Sequence, residues 1–260
     1  MNLGLKGRRA LVTGASKGIG KAIAFELAGE GAALAICARG AGVLEETAAA
    51  LREKTCVDVF ARTADVTDGK QVQSFVEQAA AALGGLDILI NNAGSALPGT
   101  FEEVDEVRWR ADLDVKLFAA MRCVRSALPY LKQSTQARII NINSIVGRQI
   151  APEYIANSTD RAACLAFSKG LADNLAPYGV LVNSVNPGNV KSQAWGSTLD
   201  YFAPDAELEE YYEQAGRETP LGRVGEAVEI AAVVTFLASK RASYITGASI
   251  DVDGGLVRYI

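Results

Sequence analysis

The sequence contains no histidine. That absence excludes a Ser-His-Asp triad, a Cys-His pair and any imidazole general base. It also removes a usual ligand of zinc and non-haem iron centres, so no metal site is expected. Proton transfer is left to Tyr, Lys, Ser, Cys, a carboxylate or water. Cysteine is scarce. Cys37, Cys56, Cys123 and Cys164 stand apart and form no CxxC, which reads as four small, mostly buried side chains in a reducing compartment. No apolar run reaches the ~18 residues of a membrane span. The first apolar stretch, residues 10–12, is short and runs into a glycine, unlike a signal peptide. A cytoplasmic location is expected. Positive charge is not in excess: 26 Lys and Arg against 30 Asp and Glu give a net charge of −4, which argues against nucleic acid as a partner.

What is present is a folded-protein composition, 49% hydrophobic and 22% charged over 260 residues. Short apolar runs alternate with helical spacing. The runs are 8–13, 33–38, 57–62, 86–90, 138–142, 180–185 and 248–252. The helical stretches are 19–29, 43–54, 72–83, 107–131, 162–175 and 228–237. Near-continuous apolar strands between helices predict a parallel sheet covered on both faces. The expected fold is a single Rossmann-type, doubly wound α/β domain over residues 1–260, with about seven strands and about six helices. Residues 191–219 break the rhythm. Polar, aromatic-containing and without a strand, they read as a lid over a site, and Trp195, Tyr201, Phe202, Tyr211 and Tyr212 are candidates for an apolar pocket wall or for plain packing.

The first strand enters Thr13-Gly14-Ala15-Ser16-Lys17-Gly18-Ile19-Gly20. Gly14 permits a tight turn, Gly18 a close backbone approach to phosphate, and Gly20 close packing of helix on strand. The N-terminus of the helix that follows offers free N–H groups and a positive dipole to an anion. No carboxylate ends the second strand. Arg39 stands there, and Lys17 lies in the loop. Two cations suit a ribose 2′-phosphate, which favours NADP(H) over NAD(H).

This chain resembles the short-chain dehydrogenases/reductases, most closely their 3-oxoacyl-[acyl-carrier-protein]-reductase-like branch. The resemblance runs along essentially the whole chain. TGASKGIG resembles the family's cofactor loop and Asp65-Val66 its adenine-contacting acidic turn. Asn91-Asn92-Ala93-Gly94 matches NNAG, Pro187-Gly188 matches PG beside the nicotinamide, and Pro220-Leu221-Gly222-Arg223 with Asp253-Gly254-Gly255 match C-terminal motifs. The resemblance implies cofactor contacts from Gly14, Ser16, Lys17, Gly18, Ile19, Gly20, Arg39, Asp65, Val66, Asn92, Ala93, Gly94, Arg161, Pro187, Gly188 and Val190. It also implies a homotetramer built on the helices at 107–131 and 157–175 and on the C-terminal helix and strand.

The chain departs from the family's Asn, Ser, Tyr and Lys tetrad. Ser144 stands in the Ser position, but Lys116 fills the Asn position, and the Tyr-x-x-x-Lys pair becomes Asn157 and Arg161. Such replacements resemble a branch of the family that lacks both the usual tetrad and a full cofactor motif. Asn157 does not ionise usefully and Arg161 is too basic for proton relay. A Lys116 desolvated beside Arg161 would have a depressed pKa and could act as acid or base; beside Asp112 or Asp114 it could equally be a plain ion pair. Tyr154 is the nearest phenol, either a relocated acid or a packing aromatic. Lys116 and Arg161 together point to a small-molecule substrate that is anionic or acyl, or to an oxyanion. Three readings stand: an oxidoreductase with an altered proton donor, a cofactor-binding protein without turnover, and a non-redox enzyme reusing the pocket.

Overall fold

The computed structural model describes residues 2–192 and 195–259. Its sheet has seven strands, all parallel: β1 (Arg9–Thr13), β2 (Ala33–Ala38), β3 (Val59–Thr63), β4 (Ile88–Asn91), β5 (Arg138–Ile142), β6 (Leu181–Pro187) and β7 (Ser249–Val252). Their order is β3-β2-β1-β4-β5-β6-β7. The order reverses between β1 and β4, and in open α/β sheets ligands sit beyond the carboxyl ends of the strands at that reversal. Thr13, Asn91, Ile142 and Pro187 end their strands on that rim.

Apolar side chains divide between the two faces. On one, Ile23 and Leu27 of α1 (Gly18–Gly29), Leu44 and Leu51 of α2 (Ala41–Lys54) and Ile230 and Val234 of α9 (Ala227–Ala238) pack together. On the other, α3 (Gly69–Leu83) supplies Val72 and Phe75, α5 (Ala119–Leu131) supplies Cys123 and Ala127, and α6 (Ile155–Leu175) supplies Ala172 and Leu175. A sheet covered on both faces explains why its strands read as unbroken apolar runs rather than alternating ones. Cys37, Cys123 and Cys164 are buried free thiols and Cys56 is exposed, in keeping with four mostly buried cysteines. No helix among the described residues is long and apolar enough to cross a membrane.

Three expectations from the sequence need correction, and all three concern the rim. The helix expected over 107–131 is α4 (Glu106–Leu113), a π-helical turn at Asp114–Phe118, and α5. The extra residue in such a turn re-aims the side chains in it, and π turns recur at functional sites for that reason. Lys116 lies in this one and is buried. Helix α6 begins at Ile155, ahead of the helical spacing read from Ala162 and close to the start at residue 157 that the resemblance implied. Asn157, Ser158, Thr159 and Asp160 are weak helix formers, but the burial of Asn157, Ser158 and Asp160 holds them in place. Within residues 191–219, α7 (Gly196–Phe202) and α8 (Leu208–Glu218) bring the described α-helices to nine rather than about six; residues 193 and 194 of that span lie outside the described residues.

Candidate functional site

The glycine loop joins β1 to α1 at the reversal point. Gly14 and Gly18 adopt positive φ of 65° and 55°, which side chains rarely tolerate. A Cβ on Gly20 would come within 2.4 Å of both the Gly14 carbonyl oxygen and Asn92 Nδ2, so the loop closes only around glycine. Lys17 precedes the first turn of α1 in an extended conformation and gives it no side-chain cap. The N–H groups of that turn are thereby free for an external anion. A cradle that a Cβ would fill, opening on an uncapped helix N-terminus, fits a dinucleotide pyrophosphate.

Thr47, which the sequence did not single out, together with Thr13 and Asn92 holds this cradle in shape. Thr47, buried on α2, donates to the Ser16 carbonyl at 2.9 Å. Thr13 Oγ1 accepts from the Asn92 and Ala93 amides at 3.0 and 3.1 Å. Asn92 turns its carboxamide onto the loop, donating to the Thr13 and Gly14 carbonyls at 3.0 and 3.1 Å. Only the tertiary structure brings residue 92 to residue 14.

Along the adenosine side, Lys17 and Arg39 are exposed, and among the described residues neither side chain makes a hydrogen bond or ion pair. Asp65 is already engaged: its Oδ1 accepts from Thr67 N at 2.9 Å and Thr67 Oγ1 at 2.7 Å. These bonds, the backbone one foremost, hold the Asp65 carboxyl below its ordinary pKa, and nearby Arg39 adds to the effect. Val66 is buried at the edge of the same crevice. At the other end Pro187 closes β6 and Gly188 packs against Asp253, where a Cβ would lie 2.7 Å from the Asp253 Cβ. Val190 is buried and its carbonyl accepts from the Trp195 indole at 2.6 Å.

The reaction-centre candidates converge beneath Gly94. A Cβ there would lie 3.5 Å from Arg161 Nη2 and 3.6 Å from Lys116 Cγ. Lys116 Nζ donates to the Asp112 carboxylate one turn earlier and to Asn157 Oδ1 at 2.5 Å. With its carbonyl oxygen turned to Lys116, Asn157 keeps its amide hydrogens to offer a ligand. Arg161 donates through Nη1 to the Ile142 carbonyl at 2.9 Å, while its buried Nε has no partner. Burial, seconded by the positive charge of Arg161, lowers the Lys116 pKa to about 8 against the opposing pull of Asp112. Burial also lowers Arg161. Lys116, Asn143 and Arg161 help to line a cavity of about 20 Å³, room for roughly one water. Ser144 begins the short 3₁₀ turn Ile145–Gly147, its hydroxyl accepting weakly from Val146 N at 3.4 Å.

Two further candidates resolve as packing. Tyr154 stacks on Phe202 at 5.5 Å and donates to Thr198 at 3.4 Å, and burial pushes its phenol up to about 12, the wrong direction for a relocated acid. Trp195 meets Tyr211 and Tyr212 edge-on, at 5.4 Å each, in a small cluster with Ala215 and Val224. Trp195 and Tyr212 thereby belong to a satellite core. Two charged partners went unrecognised in the sequence as site residues. Asp160, buried one residue before Arg161, accepts from the Trp109 indole at 3.2 Å. Asp112, seen there only as an ion-pair partner, is part of the same buried group.

Known proteins share this architecture. A family model described as enoyl-(acyl carrier protein) reductase matches residues 14–257. The 3-oxoacyl-[acyl-carrier-protein] reductase FabG of Staphylococcus aureus is 36% identical over 96% of this chain and 98% of its own. Among solved structures, an NADPH-bound short-chain oxidoreductase from Pseudomonas aeruginosa, described as containing an atypical catalytic center, superposes with a TM-score of 0.92 at 37% identity, covering 97% of this chain and 98% of its own. An L-sorbose reductase from Gluconobacter frateurii, complexed with NADPH and L-sorbose, reaches a TM-score of 0.95 at 33% identity over the whole of both chains. Likeness of this extent, in sequence as well as in fold, places the chain in the short-chain dehydrogenase/reductase family of oxidoreductases.

Proposed function

We propose that the protein is an NADP(H)-dependent reductase of a small carbonyl compound whose proton donor is Lys116 rather than a tyrosine. The single observation behind this reading is the setting of Lys116: buried, held between Asp112 and Asn157 beside Arg161, with a pKa near 8. A group poised near working pH is what general acid catalysis requires. Two of its three N–H bonds are spent on Asp112 and Asn157, and the third is available to an acceptor in the cavity it lines.

The bound dinucleotide would supply hydride to the carbonyl carbon. Gly14, Ser16, Gly18, Ile19 and Gly20 would hold its pyrophosphate, and Lys17 and Arg39 the 2′-phosphate. Val66, Ala93, Gly94, Pro187, Gly188 and Val190 would wall the crevice, with Asp65 offering the carboxylate oxygen that Thr67 leaves free. Ser144 would donate a hydrogen bond to the carbonyl oxygen. As that oxygen gains electron density, Lys116 would release a proton to it, breaking N–H and forming O–H. Arg161, permanently charged, would steady the developing oxyanion and orient ribose hydroxyls. Paired cations here favour a substrate carrying an acyl or anionic group near its carbonyl. We also propose a homotetramer; exposed Phe118, Val228, Phe236 and Tyr244 are apolar surface that subunit contact would cover.

Titration with NADPH and NADH, followed by nicotinamide fluorescence, tests the cofactor assignment. NADPH binding at least tenfold tighter than NADH is expected. Equal affinity removes the phosphate-reading role of Lys17 and Arg39, and no binding removes the oxidoreductase reading. A screen of 3-oxoacyl thioesters and ketoses then tests turnover. NADPH binding with no turnover on any of them would leave a cofactor-binding protein without redox activity.

A further inference from the structure

Four charged side chains occupy the buried seam between α4, the π turn and α6: Asp112, Lys116, Asp160 and Arg161. Asp160 is only 1% exposed. Its Oδ1 accepts from Trp109, while its buried Oδ2 has no donor within reach. The neighbouring group is the Asp112 carboxyl, within hydrogen-bond contact. Two ionised carboxylates in contact inside a protein repel, and an unpaired oxygen there loses its hydration uncompensated. One proton on Asp160 removes both costs, because an O–H bond then points from the orphaned carboxyl towards the Asp112 carboxylate.

We propose that Asp112 and Asp160 share a single proton, and that Asp160 is the reservoir from which Lys116 is re-protonated after each turnover. The proposal rests on the reading of Lys116 as proton donor. Once Lys116 has given its proton to the product oxygen, it is a neutral amine bonded to Asp112 and Asn157. The Asp160 O–H bond breaks, its proton passes through the Asp112 carboxylate, and a new N–H bond forms on Lys116 Nζ. Asp160 is left ionised and recovers a proton from solvent, so each alcohol formed draws one proton from bulk. The groups facing the pair are Lys116 and Arg161, which favour its ionised form, the Trp109 indole, and the neutral thiol of Cys164. Burial, the hydrogen bond from Asp160 to Asp112 and the Asp112 charge outweigh them and raise the Asp160 carboxyl above the usual range. In this account Asp160 is a positioning residue that acts through Lys116.

Infrared difference spectroscopy of the full-length protein, with aspartate carboxyl carbons isotopically labelled, reads the shared proton without substrate or cofactor. A protonated-carboxyl band is expected to persist to neutral pH, far above the ~3.9 of an ordinary aspartic acid. It should vanish in Asp160→Asn. It should titrate at lower pH in Asp112→Asn, which removes a like charge, and at higher pH in Lys116→Met, which removes an opposite one. No such band in the unsubstituted protein at neutral pH overturns the shared proton, with no variant required to fold. In carbonyl reduction, Asp160→Asn should lower kcat at least tenfold with NADPH affinity unchanged, and an unchanged kcat overturns the reservoir. Full turnover in Lys116→Met would overturn the donor reading itself, whereas the infrared band judges the carboxyl pair separately.

Discussion

The cradle at β1–α1 and the seam at α4–α6 lie on the same rim of one sheet but are built by opposite means. The cradle is almost all backbone. Its shape comes from Gly14, Gly18 and Gly20 and from neutral hydrogen bonds made by Thr13, Thr47 and Asn92, while its charges, Lys17 and Arg39, stay in solvent. The seam is all side chain. Asp112, Lys116 and Asp160 are withdrawn from water and Arg161 is half-buried beside them, with Lys116 bonded to the Asp112 carboxylate. Exposed cations are cheap to keep and serve recognition, since a charged ligand meets them already solvated. Buried ones are costly, and each shifts the pKa of the next. One region is therefore suited to holding an anion and the other to moving a proton.

Four substitutions would break or sharpen this contrast. The largest effect belongs to the seam. Lys116→Met should lower carbonyl reduction by ~10²–10⁴-fold, the usual worth of general acid catalysis, with NADPH affinity retained in fluorescence titration. In the unsubstituted protein the reduction rate should fall as pH rises through about 8, because Lys116 then loses the proton it donates. A flat pH profile would count against that role.

Next is the cradle backbone. Gly20→Val should cost ~1–3 kcal/mol in urea unfolding through overpacking against Gly14 and Asn92 and should abolish measurable NADPH binding, since the loop cannot close. Retained binding would show that the loop adapts. Smaller and more selective is Arg39→Ala. Loss of a charge-assisted phosphate contact should weaken NADPH binding by ~1.5–3 kcal/mol and leave NADH binding unchanged; equal losses for both cofactors would place Arg39 elsewhere. Smallest is Thr47→Val, which removes one hydrogen bond to Ser16. A fall of ~1 kcal/mol in stability is expected, read as a lower urea midpoint at unchanged slope.

How legible each region is in the sequence follows from how it is built. Glycine spacing, the apolar strands and the two exposed cations are local signals, and the cradle could be read from them. The seam could be read only in part. Lys116, Ser144, Asn157 and Arg161 stood out against the family pattern, but Asp160 did not, because nothing in its neighbours marks a buried carboxylate. The expected uninterrupted helix over 107–131 also concealed the π turn that carries Lys116 inward.

By itself, the sequence determined the doubly wound parallel sheet and the place of the glycine loop, since apolar periodicity and the conformational freedom of glycine act over a few residues. Tertiary structure decided how the charges of the two helices would meet and be buried. Asp112 and Lys116 come from one side of a helix break, Asn157, Asp160 and Arg161 from another helix, and β5 lies between them in the chain. Their pKa values arise from burial and mutual distance, quantities that exist only once the chain has folded.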